Sequence, residues 1–231
     1  MGWAPAFREF VAPDGQLGQA TGYTDAPAAL AETPDDGNRN LFWWPAFAGI
    51  SRDGDFGFTT GAVSFDEART PRGHYFTVWR RQPDGAWKWI YDGGVGPIAD
   101  APTLPGPGED VVMLPVAERG ETSAEAAVAA VTALERAGTL RLAPDARLAR
   151  TREALATNSA QSTPTGVTYE PVRIEASEGG DLVMVLGRAS WFSYATIPAS
   201  YARMWQHRAG GWVVIYDQLI IPQPVPIPRS R

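Results

Sequence analysis

An aromatic hairpin that occurs twice constrains this chain more than any other feature. The stretch Gly73-His-Tyr-Phe-Thr-Val-Trp-Arg-Arg-Gln-Pro-Asp-Gly-Ala-Trp-Lys-Trp-Ile-Tyr-Asp92 sets two runs of aromatic and β-branched residues on either side of Pro83-Asp84-Gly85, the composition of two strands joined by a tight turn. Tyr201 to Asp217 repeats its Tyr, Trp, Gly, Trp, Ile-Tyr-Asp skeleton with a turn one residue shorter. At an offset of 126 residues Pro45, Ser51, Gly54-Asp55, Gly61, Tyr75 and Trp79 match Pro171, Ser177, Gly180-Asp181, Gly187, Tyr201 and Trp205. Past the shortened turn the offset is 125, and Gly85, Trp87, Ile90, Tyr91 and Asp92 match Gly210, Trp212, Ile215, Tyr216 and Asp217. Upstream, Ala12-Pro-Asp and Leu17 match Ala143-Pro-Asp and Leu148 at an offset of 131. Chance similarity between aromatic-rich strands would not keep register over about forty positions, so the chain reads as a tandem duplication.

Duplication settles how 231 residues divide. Two units of about 100 residues each have the commonest domain size. Residues 1–95 form the first, a Pro/Gly-rich linker occupies 96–115, residues 116–220 form the second, and a Pro-rich tail covers 221–231. Each unit is predicted to hold four strands: Leu41–Ser51, Phe56–Phe65, Gly73–Gln82 and Trp87–Asp92, then Val167–Ser177, Leu182–Trp191, Ala199–Arg208 and Trp212–Leu219. Pro45 marks an edge or a bulge, because proline cannot donate to a ladder. Tyr23 to Asn40 reads as loop with one helical turn near Ala28–Glu32, and Gly93 to Asp110 as irregular linker.

Helices differ between the units. Glu121–Gly138 is an Ala-rich helix opened by a Thr122/Ser123 cap and closed by Gly138, with Val128, Val131 and Leu134 on its apolar side. Met1 to Leu17 reads as the end of a helix, with Trp3, Phe7 and Phe10 at helical spacing and a stop at Ala12-Pro13-Asp14-Gly15. The first helix has either lost most of its length or was never needed. Its absence would uncover apolar surface on the first sheet, open to a partner chain and so to a homodimer.

Composition narrows the function classes. A net charge of −6 without a basic cluster gives no footprint for nucleic acid or an anionic membrane. No window approaches the ~20 apolar residues of a membrane span. No basic-then-apolar leader opens the chain, which points to a soluble protein of undetermined compartment, the periplasm included if a leader was trimmed. Absence of cysteine excludes disulfides, thiolate catalysis and Cys-ligated zinc, and two distant histidines, His74 and His207, make a multi-His centre improbable. Neither metal nor cofactor is expected.

A helix, Ala-Pro-Asp, a strand, Gly-Asp-Phe-Gly-Phe-Thr-Thr-Gly61, and Gly-x-Tyr-x-Thr-Val-Trp-Arg-Arg-x-x-Asp-Gly-x-Trp ending at Asp92 together resemble the SnoaL-like branch of the nuclear transport factor 2-like superfamily. The likeness is good over Trp3–Asp92 and weaker over Glu121–Asp217, which lacks Gly-Phe-Thr-Thr. It implies an α+β fold of two cones, each a curved antiparallel sheet wrapped on helices with an apolar pocket in its mouth. Because family members commonly dimerise sheet to sheet, two copies in one chain imply an internal pseudo-dimer. Family enzymes use an Asp base with a Tyr donor, or a His/Asp pair, and neither constellation can be placed here residue by residue.

Strand alternation puts Tyr75, Thr77 and Trp79 on one face, and Tyr201, Arg203, Trp205 and His207 on the matching face. If that face lines a cone, each unit offers an aromatic pocket, and Arg203 adds a partner for a carboxylate or phosphate. Otherwise the rings pack on helices and Arg203 meets solvent or a structural Asp. Asp92 and Asp217 end the last strands, as bases if their pKa is raised or as turn caps. Of Trp43 and Trp44 one should be core and the other interface or pocket wall, with Trp44 taken as the ligand contact; Glu170 stands at its place in the second unit. The leading expectation is a small-molecule binding or scaffolding module for an apolar or anionic ligand. The alternative is a proton-transfer enzyme, an isomerase, dehydratase or cyclase, working from the second unit. It would use Asp217 or Glu170 as base, Tyr201 as hydroxyl donor and Arg203 as anchor. A third expectation is a structural pair whose pockets are filled by their own side chains.

Overall fold

A computed structural model describes residues 2–35, 37, 40–95, 106–117, 120–121, 123–150, 166–191 and 198–221. In chain order these form α1 (Trp3–Phe10), β1 (Val11–Gln19), β2 (Gly22–Asp25), α2 (Ala26–Glu32), β3 (Phe42–Ile50), β4 (Phe56–Ser64), β5 (Gly73–Arg81), β6 (Trp87–Val95) and β7 (Val112–Met113). There follow α3 (Ala124–Arg136), β8 (Leu142–Arg150), β9 (Thr168–Ala176), β10 (Leu182–Ser190), β11 (Ala199–Arg208) and β12 (Gly211–Ile220). No helix among the described residues is long and apolar enough to cross a membrane.

The fold is α+β with two mixed sheets. One has seven strands in the order β2-β1-β6-β5-β4-β3-β7, the other five in the order β8-β12-β11-β10-β9. Both contain an antiparallel four-strand meander flanked by a strand parallel to its last member. The two sheets share one irregularity of register. β1 meets β6 at Val11–Trp89, then skips to Gln16–Tyr91, and β8 meets β12 at Leu142–Val214, then skips to Arg147–Tyr216.

That skip corrects two expectations. The sheets are mixed rather than wholly antiparallel, and Ala12-Pro13-Asp14-Gly15 lies within β1 rather than stopping a helix in a turn. Proline disfavours regular pairing, and each ladder accommodates it by bowing four residues out against one. The bowed aspartates then act structurally: Asp14 pairs with Arg80 at 2.7 Å and Arg173 at 2.8 Å, and Asp145 with Arg208 at 2.6 Å. The region read as linker is also more ordered than its composition suggests. Gly93–Val95 continue β6, and Val112–Met113 lay a short strand along β3. The rest of that linker (96–105), Thr122 and tail residues 222–231 lie outside the described residues.

Pro45 sits at a bulge, as its chemistry requires, with the β3 register shifting between Pro45 and Phe47; Pro171 does the same in β9. Gly61 and Gly187 face these bulges because nothing larger fits. A Cβ on Gly61 would lie 2.1 Å from the Trp44 carbonyl oxygen, and one on Gly187 2.6 Å from that of Glu170. In α3 the Ser123 hydroxyl accepts the Ala126 N–H at 3.2 Å, and Gly138 takes φ 63° just beyond the helix.

The two sheets pack face to face. Phe58, Phe76, Val78 and Tyr91 share one core with Met184, Leu186, Met204 and Tyr216, and the Phe76 and Tyr216 rings stack with centroids 4.1 Å apart. The Arg52 N–H donates to Asp181 at 2.9 Å, and the Glu178 N–H donates to Asp55 at 2.7 Å. The 126-residue offset turns each of these bonds into the other. At the opposite end Tyr23 accepts the Gly187 N–H at 2.7 Å and shares its own proton between the Gly187 and Tyr201 carbonyls. Arg80, Asp14, Arg173 and Glu175 complete the seam as a four-charge cluster.

Candidate functional site

The outer face of each sheet, turned to its helices, carries the aromatic residues that alternation predicted. In the second sheet this face is filled. Twelve buried residues, among them Ala127 and Val131 of α3 with Val185, Tyr201 and Trp205, form its core. Inside it Arg203 is fully buried: its Nε donates to Asp217 at 2.9 Å and its Nη1 to both Glu135 oxygens at 2.9 and 2.8 Å. Glu135 also accepts the Tyr201 hydroxyl at 3.0 Å and the Trp205 indole N–H at 2.7 Å. The guanidinium carbon lies 4.4 Å from the Tyr169 ring centroid and 4.7 Å from that of Tyr201. Burial alone would lower the Arg203 pKa, but the charges of Asp217 and Glu135 outweigh it and raise it. The Tyr201 hydroxyl is pushed up by burial and by the neighbouring Glu135 carboxylate.

The first sheet differs at the same place. Its helix-side core is small, with Ala26, Leu30 and Trp89 buried and Trp3, Phe7 and Trp79 packed partly against them. Beside it opens a cavity of about 880 Å³. Its floor is Tyr75, Thr77 and Trp79 on β5 with Trp89 and Asp92 on β6, and its walls include Phe7 and Phe10 of α1 and Trp43 of β3. Trp43, Phe10 and Phe65 are exposed toward it at 45%, 45% and 61%. Thr77 and Asp92 are cross-strand partners, as Arg203 and Asp217 are in the other sheet. The Thr77 hydroxyl donates to Asp92 Oδ2 at 2.5 Å, and the Trp79 indole N–H donates to Thr59 at 3.1 Å.

Burial shifts the acid. Asp92 sits among apolar groups and its pKa rises to about 7, the Thr77 hydrogen bond opposing the shift only in part. The Tyr75 hydroxyl rises to about 12, again chiefly by burial. His74, at the cavity edge, is held down to about 4 by burial and stays neutral near pH 7. At the rim Arg72 and Asp66 approach within 3.8 Å of each other in exposed positions. The cavity thus presents ring faces, one carboxyl group whose charge changes near neutrality, and a hydroxyl.

Of the residues singled out from sequence, Tyr75, Thr77, Trp79 and Asp92 converge on this cavity. Arg203, Tyr201, Trp205 and Asp217 also converge, but on one another and on Glu135. Glu170 does not join them. It is exposed on β9, on the opposite strand face from Tyr169. His207 lies toward the far end of β11, its ring edge-on to Trp212 and 4.0 Å from Glu121. Trp44 is buried at 7% exposure and is not a cavity wall; its neighbour Trp43 is, since successive strand residues point to opposite faces.

Glu135 was missed, although a signal existed. It continues the stripe Ala127, Val131, Glu135, all buried on one side of α3, and an acid at an apolar-stripe position implies a buried partner. The sequence also assigned no cavity role to Trp89, Phe7 or Phe10, all of which line it. Among the described residues no cluster of three or more His, Asp or Glu side chains could hold a metal ion. No protein-family model and no curated protein matches this chain.

Proposed function

We propose that the first unit binds a small, largely apolar molecule in the cavity above Thr77 and Asp92, while the second unit serves as its filled structural counterpart. The observation that carries this reading is the cavity of about 880 Å³ walled by Trp43, Tyr75, Trp79 and Trp89, within the size range of small-molecule sites. The second unit's place as partner rests on Arg203, Tyr201 and Asp217, which are buried and joined through Arg203–Asp217, Arg203–Glu135 and Tyr201–Glu135 hydrogen bonds. This favours binding in the first unit over proton transfer in the second.

The SnoaL-like resemblance supports the same reading, with each sheet and its helices as a cone and the first cone open. The reciprocal Arg52–Asp181 and Glu178–Asp55 bonds support an internal pseudo-dimer. Exposed Phe10, Trp43 and Phe65 at the mouth are the surface through which a homodimer would form if ligand does not cover them.

Tryptophan fluorescence during titration with 2-naphthol tests the proposal. Saturable quenching is expected, and it should be lost in Thr77→Trp, which fills the floor. No response, or an unchanged response in that variant, contradicts it.

A further inference from the structure

We propose that the group recognised at the floor of the first-unit cavity is a cation, an ammonium, amidinium or guanidinium on an apolar body, held between the Trp43 and Tyr75 rings and paired with the Asp92 carboxylate. This rests on the cavity being a binding site and names the chemical class it takes.

The second unit shows what such a cradle holds. There the Arg203 guanidinium lies 4.4 Å from the Tyr169 ring and 4.7 Å from the Tyr201 ring, with its Nε 2.9 Å from Asp217. Adding 126 to Trp43 and Tyr75, or 125 to Asp92, gives Tyr169, Tyr201 and Asp217, so the first unit keeps both rings and the carboxylate. The residue that delivers the charge has changed, Arg203 standing where the first unit has Thr77, and the second acid that holds it, Glu135 on α3, is not among the residues lining the first-unit cavity. A threonine side chain ends at its hydroxyl, which bonds Asp92 and leaves the space over the rings as cavity. Tryptophan in place of Tyr169 strengthens the preference, since indole attracts a cation more than phenol does.

Charge on the cavity wall points the same way. The other titratable groups lining the cavity are Asp66, Arg72, His74 and Tyr75, and the buried Tyr91 hydroxyl also feels the Asp92 charge. Arg72 is at the rim with Asp66, its side chain 58% exposed, and His74 is neutral near pH 7. Among the described residues, then, no cation in the cavity pairs with Asp92. An anionic ligand would meet that carboxylate and the negative faces of the rings, and would gain nothing at this floor. A cation would favour the ionised form of Asp92, so its binding should release a proton below pH 7 and strengthen as pH rises through about 7.

Calorimetric titration of the full chain with benzamidine, benzamide and benzoate at pH 5 and pH 8 tests the assignment. The three share one ring and differ in charge. At pH 8 benzamidine should bind at least about tenfold more tightly than benzamide, with benzoate weakest, and the gap should narrow at pH 5. Asp92→Asn should remove the preference. Thr77→Arg should remove benzamidine binding by seating a tethered guanidinium, and it carries the test if Asp92→Asn fails to fold by circular dichroism. Equal or tighter binding of benzamide, or a preference that survives both substitutions, overturns the inference. Binding of 2-naphthol without benzamidine overturns the cation alone, whereas no binding of any probe overturns the binding site and the cation with it.

Discussion

In the second sheet the aspartate of the last strand meets a guanidinium 2.9 Å away; in the first, among the described residues, its counterpart meets a hydroxyl at 2.5 Å. Around Asp217 the space is taken by Arg203, Glu135 and a thirteen-residue helix, while around Asp92 it is a cavity beside an eight-residue helix. Rings at matching positions, Trp43 and Tyr75 or Tyr169 and Tyr201, and the same cross-strand pairing surround both. What the difference teaches is that one backbone supports two electrostatic solutions: a buried charge neutralised from within, or an acid left to shift its own pKa.

The largest effect should follow from breaking the filled side. Glu135→Ala strips the partner from Arg203, Tyr201 and Trp205 at once, and removing one side of a buried pair should cost about 3–5 kcal/mol by urea denaturation. A loss below about 1 kcal/mol would mean that water reaches the network.

The next test concerns pH and sharpens the open side. Asp92 binds its proton more tightly folded than unfolded, its pKa rising from 3.8 to about 7. The folded state therefore holds more protons between these values, and its stability should fall as pH rises from about 4 to 7 and level off above. Asp92→Asn should remove that decline, so at pH 8 the variant should be more stable than the native chain by about 2 kcal/mol, allowing for screening by cavity water. At pH 4 the two should be equal. The matching Asp217→Asn change should destabilise at both pH values, because it loosens Arg203.

The seam between the sheets offers a smaller contrast. Asp181 is buried and Asp55 half-buried, though each accepts one serine hydroxyl at 2.6 Å and one backbone N–H from the other unit. Asp181→Ala should cost about 2–3 kcal/mol and Asp55→Ala about 1 kcal/mol, read from thermal unfolding. Equal losses would show that burial does not separate the two. Smallest of all, Glu170→Gln should change stability by less than about 0.5 kcal/mol, as its exposed position on β9 requires.

Much of this architecture was legible in the residues. The repeat, the meander strands, the proline bulges and the alternation that gathers Tyr75, Thr77 and Trp79 on one face all follow from local chemistry and a period of two. The parallel strands were not legible. Ala-Pro-Asp is poor strand sequence, and pairing with the distant strands β6 and β12 holds those segments in a sheet. For the site, the face was readable but not which unit stayed open. Arg203 suggested an anion anchor in the second unit because its partner, Glu135, lies 68 residues upstream on a helix read only for its apolar stripe. Nor could spacing show that Thr77 leaves room where Arg203 fills it, since volume arises only after packing.

The pKa of Asp92, followed through its side-chain carbon-13 signal in the native chain and in Thr77→Arg, tests the central contrast most directly. A native value near 7 that falls into the ordinary carboxylate range once arginine stands opposite would confirm that the residue across from the aspartate sets which electrostatic solution it adopts. An ordinary carboxylate value in the native chain, or a raised value that the arginine leaves unchanged, would contradict it.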